Sequence, residues 1–291
     1  MAVRRRRRHR ARRLLIWLLL LAGLVLWTLW GNSAPQLTSM IHYANALPRE
    51  FEGYRIVQVS DLHDARLGAG NARVIELVKQ ARPDLIVVTG DIIDSNRLNI
   101  DRSAETIRQL ALLAPVYCVS GNHEAALRRE DYQRLKRALA QAGAVLLEDQ
   151  SVLLQRGGAG IQLVGLQDIG FYPGGMQDKR ASLSNALTLL ADQGRFTIGL
   201  SHRPELLDCY AKSALDLVLC GHAHGGQVRL PLIGGLFSPG QGLFHRYTSG
   251  SYPIAPDKTM IVSRGIGNSK FPLRVNNRPE VVVIELRGKG N

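Results

Sequence analysis

Five apolar runs in this chain each stop at residues able to bind a metal ion, and that coincidence restricts the fold more than any other feature. RIVQVSDLH ends in Asp61 and His63, LIVVTGDIID in Asp91 and Asp94, and VYCVSGNHE in Asn122, His123 and Glu124. FTIGLSH ends in His202, and LDLVLCGHAH in His222 and His224. Short runs rich in Val, Ile and Leu, bounded by Gly, Ser, Asn and Asp, are the signature of buried strands. Amphipathic stretches at 71–81 and 102–113 separate the first three runs. The order strand, helix, strand, helix, strand predicts a parallel or mixed sheet flanked by helices. In such sheets, ligands collect outside the carboxyl ends of the strands. Five of the eight histidines fall there.

The same periodicities continue along the chain. A helix is expected over 131–142, short strands at 145–147, 152–154 and 161–166, and a helix over 182–191. Strands are expected again at 196–200, 217–220, 260–263 and 281–286. Residues 225–256 are rich in Gly and Pro and predict loops around short strands. Residues 37–43 alternate loosely and predict an edge strand inside a linker over 31–53, ahead of a folded domain at 54–288.

The formal charge of +13 suggests nucleic acid until its distribution is considered. Eight arginines lie in the basic tail over 1–13, leaving 29 basic against 24 acidic residues in the remainder. A nucleic-acid binder needs a basic face on its folded domain, so no specific nucleic-acid partner is expected. With 45% hydrophobic and 21% charged residues, the composition is that of a globular protein and excludes disorder of the whole chain. Cys118, Cys209 and Cys220 make no CxxC and no paired framework. The apolar settings of Cys118 and Cys220 predict small buried hydrophobes.

Residues 14–30 carry no charge and include all three tryptophans, Trp17, Trp27 and Trp30. As a helix this segment is about 25 Å long, the short end of what spans a bilayer. Trp27 and Trp30 suit an interfacial belt. A buried core helix is excluded by the eight arginines beside it. A cleaved signal and a twin-arginine signal through Arg12 and Arg13 are the alternatives. The proline after Ala34 disfavours cleavage there, so an uncleaved, single-pass transmembrane anchor is expected. Arginines kept on the inner side of a bacterial cell membrane put the domain on the periplasmic or extracellular side, unless they hold the segment on the anionic inner face.

Asp61 and His63, two apart at a strand end, can point to the same side. Carboxylates with imidazoles suit Mn, Zn or Fe better than Ca or Mg. One bridging carboxylate can hold two divalent cations about 3.5–4 Å apart, the spacing used for in-line displacement at phosphorus. Gly90, Gly121 and Gly221 are expected to let the backbone turn sharply beside them. A single DxH or GD is noise, and GNH and GHxH are each moderately specific. The ordered set DxH, GDxxD, GNHE, SH and GHAHGG resembles the calcineurin-like metallophosphoesterase superfamily. It is similar more closely to a bacterial membrane-associated phosphodiesterase branch, in which GHxHGGQ precedes a proline-containing loop and then RGxG and RPE. Here these are GHAHGGQVRLP, the run Arg264, Gly265, Ile266 and Gly267, and the run Arg278, Pro279 and Glu280. The resemblance covers residues 37–287.

This resemblance implies an α/β fold, a four-layer α/β/β/α sandwich behind the transmembrane helix. It implies one cation held by Asp61, His63 and His224, a second held by Asn122, His202 and His222, and Asp91 bridging the two. It implies attack on phosphorus by a metal-bound hydroxide. His123 would protonate the leaving oxygen or stabilise phosphoryl charge, with Asp94 as its carboxylate partner. Glu124 stands where Asp is commoner and is not expected to be a ligand. Members of the branch are linked to phosphodiesters, and some relatives cleave UDP-2,3-diacylglucosamine or other membrane lipids. An anchored site favours a lipid-linked phosphodiester or pyrophosphate, with Phe171, Tyr172, Phe237 and Phe244 in loops able to contact acyl chains. A phosphomonoesterase on the same scaffold and a non-catalytic anchored binding protein are the alternatives.

Overall fold

A computed structural model describes residues 2–238, 242–268 and 271–290 of the chain. Helix α1 (Ala2–Ser33) leads into β1 (Gln36–Ala44), followed by β2 (Arg55–Val59), α2 (Ala72–Ala81), β3 (Leu85–Thr89), α3 (Ile100–Ala111) and β4 (Val116–Val119). Then come α4 (Asn122–Ala125), α5 (Arg129–Gln141), β5 (Ala144–Leu146), β6 (Gln150–Arg156), β7 (Ala159–Gly165) and α6 (Met176–Leu190). Strand β8 (Thr197–Leu200), α7 (Leu207–Ala211) and β9 (Leu217–Cys220) follow. Two short antiparallel pairs, β10 (Arg229–Leu230) with β11 (Gly234–Gly235) and β12 (Phe237–Ser238) with β13 (Gly242–Leu243), precede β14 (Gly250–Ala255), β15 (Lys258–Val262) and β16 (Glu280–Gly288).

One six-stranded sheet has the order β1-β16-β2-β3-β4-β5, and the other β14-β15-β9-β8-β7-β6. In the first, only β16 and β2 run antiparallel. In the second, the outer pairs are antiparallel and the inner ones parallel. Alternation along each strand splits its side chains between two cores. In β3, Ile86 and Val88 pack with Val78 of α2, Ile107 of α3 and Leu135 of α5. Its Leu85 and Val87 share a core with Ile198, Leu217 and Leu219 of the opposite sheet. Val164, Val218 and Met260 turn away from that core to pack on Leu183 of α6 and Tyr210 of α7. The result is the four-layer α/β/β/α sandwich. Strands β3, β8 and β9 are buried along their whole length, as parallel strands covered on both faces must be. The three cysteines are buried and unpaired.

The N-terminal region contains the edge strand expected over residues 37–43, one residue longer at each end, and it is part of the domain rather than of a linker. Strand β1 pairs with β16 over its full length, from Gln36 against Glu280 to Ala44 against Gly288, so the folded domain begins at Gln36 and not at residue 54. The strand lies at a sheet edge with alternate residues exposed, which blurs its apolar pattern. Helix α1 likewise starts inside the arginine tail and runs on to Ser33; arginine is a good helix former. Its stretch His9–Ser33 is long and apolar enough to cross a membrane, and its apolar window is not buried inside the protein.

The last turn of α1 is fastened to the domain. Asn32 Nδ2 donates to the Arg274 carbonyl at 2.7 Å, and Arg274 N donates back to Asn32 Oδ1 at 2.8 Å. Arg73 Nη1 donates to the Ser33 carbonyl at 2.5 Å, and Arg278 Nε to the Ala34 carbonyl at 2.7 Å. The Arg278 guanidinium also lies 4.9 Å from the centre of the Trp30 ring.

Ile284 of β16 is fully buried between the two sheets. Ile284→Ala is expected to lower stability by about 2–5 kcal/mol. The check is a lower urea midpoint at unchanged slope.

Candidate metal centre

The loops at the carboxyl ends of β2, β3, β4, β8 and β9 supply every residue of the expected donor set. Among the described residues, one donor atom from each of Asp61, His63, Asp91 and His224 lies within 4.8 Å of the others, and Asp91, His202 and His222 form a second such group. Asp91 belongs to both. Its Oδ2 is 3.5 Å from His63 Nε2 and 3.2 Å from His202 Nε2. Asn122 Oδ1 is 3.2 Å from His202 Nε2. His63 and His224 bring their Nε2 atoms to 3.1 Å, and Asp61 Oδ1 is 3.5 Å from His224 Nε2. All of these side chains are buried except Asn122, which is half-buried.

The backbone bends hard to achieve this. Asp61, His63, Asp91, His222 and His224 all have φ between 44° and 67°. That left-handed region costs a non-glycine residue about 1–3 kcal/mol, and Asp and His tolerate it better than most. The ligand-type residues are thus also types that can occupy these turns. The expected role of the glycines holds at Gly90, with φ +83°. Gly121 and Gly221 do not have positive φ, and they serve by leaving space. A Cβ at Gly121 would lie 2.3 Å from Asp91 Oδ1, and one at Gly221 would lie 2.0 Å from Ser60 Oγ.

Surrounding groups fix each donor. Ser60 Oγ donates to Asp61 Oδ2 at 2.6 Å, and His222 N to Asp61 Oδ1 at 3.0 Å. His123 N donates to Asp91 Oδ1 at 2.9 Å. The bond between His202 Nδ1 and the Thr89 carbonyl, at 2.8 Å, turns Nε2 toward Asp91. Ile266 N and Gly267 N donate to the Ser60 and Asp61 carbonyls, so the RGxG segment lines the first donor loop.

Two supporting residues, Glu124 and Arg274, are given no role by the sequence. Glu124 is buried, and its carboxylate accepts from the N–H groups of Asp91, Ile92, Ile93 and Gly121 at 2.7–3.1 Å. Its place three residues after Gly121 is a capping-box position, the local signal for this role. Arg274 is fully buried, with Nη2 3.2 Å from His224 Nδ1 and Nη1 donating to the Arg264 carbonyl. No local pattern marks it.

His123 and Asp94 sit beside the first donor group. The His123 ring lies edge-on to His63 at 4.6 Å between centres. Asp94 Oδ1 is 3.6 Å from His123 Nδ1, an ion-pair distance beyond a hydrogen bond. The direct hydrogen bond to Nδ1 comes from Ser95 N at 3.0 Å, with Ser95 Oγ equally close. Asp94 instead accepts from Arg97 Nε and Nη2 at 3.0 and 2.7 Å.

The electrostatics suit cation binding. Burial pushes Asp61 up to about 6 and His63 down to about 4. Burial also holds His222 and His224 well below the usual imidazole value. These three rings are therefore neutral at pH 7, with lone pairs available. His202 differs: burial lowers it, but the adjacent Asp91 outweighs burial and raises it. His202 in turn holds Asp91 below the usual carboxylate range despite burial. Among the described residues, buried His222 Nε2 and His63 Nδ1 have no hydrogen-bond partner. Converging neutral imidazoles, two buried carboxylates and unsatisfied nitrogens fit a divalent metal ion.

A donor cluster on the strand ends of an α/β/β/α sandwich, with Asp91 common to both groups, defines a metal-dependent hydrolase. The calcineurin-like phosphoesterase model matches residues 54–226, more than half of the chain. The chain belongs to that family and is a phosphoester hydrolase. It is similar to the uncharacterized metallophosphoesterase YkuE of Bacillus subtilis, 32% identical over 251 residues, covering 84% of this chain and 82% of YkuE. It is also similar to phosphodiesterase YaeI of Escherichia coli, 30% identical over 236 residues with 80% and 82% covered. The uncharacterized metallophosphoesterase YkoQ of Bacillus subtilis is 30% identical over 229 residues, with 78% and 81% covered.

Glu124→Ala is expected to lower stability by about 2–4 kcal/mol, since several buried N–H groups lose their acceptor, and to reduce metal content measured on the purified protein. Metal binding should also displace the proton on His202, so affinity rises with pH. Calorimetric titration of metal-free protein with Mn near neutral pH should report release of about one proton. Heats that do not change between buffers of different ionisation enthalpy contradict this.

Proposed function

We propose that the protein hydrolyses a lipid-linked phosphodiester or pyrophosphate of the membrane that holds α1, at a centre of two divalent cations. The short path from anchor to centre carries this reading. Asn32 in the last turn of α1 bonds the backbone of Arg274, and the Arg274 side chain reaches His224. A cleft of about 400 Å³ supports it, bounded by Asn32, His63, Arg66, Arg97, Arg102 and Asn268. Guanidinium groups suit phosphate oxygens, and the cleft lies between the anchor foot and the donors. The relative YaeI is described as a phosphodiesterase.

Asp61, His63 and His224 would hold one cation, and Asn122, His202 and His222 the other, with Asp91 between them. Mn, Zn or Fe suits these donors. When bound, the cations supply a water of lowered pKa and positive charge for the phosphoryl oxygens. Ser95 N donates to His123 Nδ1, which leaves Nε2 to carry the ring proton and donate to the leaving oxygen. Asp94 acts one step back, through Arg97 and the turn that presents Ser95. The arginine-rich start of α1 stays in the cytoplasm, and the domain works on the periplasmic or outer face of a bacterial cell membrane. A compartment-sensitive fusion after Asn291 tests that side.

The reading is tested with Mn-loaded protein on bis(p-nitrophenyl) phosphate and p-nitrophenyl phosphate side by side. The diester should be preferred, and a strong preference for the monoester overturns that part. Asp91→Asn should abolish turnover of both, and full activity in that variant rules out the shared-carboxylate centre. His123→Ala should lose about 10²–10⁴-fold on an alkyl diester. It should lose much less on the aryl diester, whose leaving group needs no proton.

A further inference from the structure

The segment after the histidine-rich loop exposes apolar side chains in conformations that water does not explain. Leu232 is fully exposed and Ile233 is 61% exposed at the turn between β10 and β11. Leu243 and Phe244, at the end of the next strand pair, are 71% and 67% exposed. Scattered apolar residues are ordinary on a surface, whereas neighbouring large ones mark an interaction surface. Leu232 and Phe244 also have φ of 66° and 55°. Glycine or asparagine is the usual occupant of that left-handed region. Among the aromatic residues expected to reach acyl chains, Phe171 packs on Tyr132 at 4.8 Å between ring centres and Tyr172 donates to Asp149, so both belong to the domain's own packing. Phe237 and Phe244 face outward.

The attachment of this segment identifies its occupant. Arg229 N donates to the Val275 carbonyl at 3.0 Å, and Val275 N to the Gln227 carbonyl at 3.1 Å. The root of β10 is therefore paired beside Arg274, the residue bonded in both directions to Asn32 of α1. Arg229 to Leu232 is three residues, a reach of about 10 Å at most. Phe271 and Leu273, just before Arg274, are 45% and 42% exposed. Trp27 and Trp30 mark the adjacent end of α1 as the level of a membrane interface. Exposed Arg246, two residues after Phe244 and 5.5 Å from the centre of the Tyr247 ring, suits anionic headgroups.

We propose that the turn between β10 and β11, together with Leu243 and Phe244, is a second membrane contact. It inserts Leu232 and Ile233 into the leaflet at the domain end of α1. This contact rests on α1 spanning the membrane, as the proposed function does. It fixes the rotation of the domain about its anchor and turns the arginine-lined cleft toward that leaflet. The root of the segment touches the centre, because Asn277 Nδ2 donates to both the His224 and Gln227 carbonyls.

The test uses full-length protein in nanodiscs of phosphatidylcholine and phosphatidylglycerol. A single environment-sensitive NBD label is placed at Leu232→Cys, with Leu243→Cys as a second site. The native cysteines are buried, so labelling is selective. Leu189→Cys, at a position 85% exposed on α6, gives the reference for water. The expected result is blue-shifted emission at positions 232 and 243, quenched by doxyl-labelled lipid, with native-like circular dichroism melts. Emission equal to that at position 189, at both sites, overturns the proposal. A blue shift that grows with protein concentration in detergent and is not quenched by doxyl lipid overturns it in favour of a second copy as occupant. A quenched, blue-shifted label in a protein that turns over no phosphodiester supports the contact and sinks the proposed substrate class.

Discussion

The Glu124 carboxylate holds together the part of the molecule on which everything else relies. It accepts four backbone N–H groups from two loops that meet only because β3 and β4 are neighbours. Burial, with Asp91 close by, pushes its pKa up to about 7. Those donors offset the cost of placing a carboxylate where water cannot reach. Through them the turn containing Asp91 stays in its left-handed conformation. Asp91 is the one member shared by both donor groups, so the geometry of the whole centre passes through this interaction.

Much of this was legible in the sequence, because strand ends announce themselves. Strands β2, β3 and β9 occupy the apolar runs as read, and each run's terminal Asp or His reaches the site. Type and position marked the strand-end residues, and the family resemblance picked the seven candidate ligands from among them. What escaped was long-range. Arg274 meets His224 across fifty residues, and no neighbour in sequence hints at a guanidinium fully buried there. Glu124 looked neutral because a residue that binds only backbone leaves no chemical trace beyond its spacing. Strand β1 was legible as an edge strand from its alternation, but its partner was not, because its register is set by β16, far along the chain. The resemblance implies Asp94 as the partner of His123, and the fold holds the two at 3.6 Å while giving the direct hydrogen bond on that nitrogen to Ser95.

The C-terminal motifs gain a physical meaning that their spelling did not carry. Arg264 N donates to Glu280 Oε2, and Thr38 Oγ1 donates to Glu280 Oε1, so one carboxylate joins the RGxG loop, the RPE run and the first strand. Arg278 binds the carbonyls of Ala34 and Pro35. These residues make no chemistry of their own. They remove the slack between an apolar helix long enough to cross a membrane and a hydrolytic centre, where a flexible tether would let the domain turn freely.

The pairing of β1 with β16 sets an order of assembly. Strand β16 lies between β1 and β2, so the first sheet is incomplete until residues 280–288 have been synthesised. By then α1 has long since left the ribosome. A chain that stops short of residue 280 therefore leaves the edges of β1 and β2 that face β16 unpaired, beside the loop that carries Asp61 and His63.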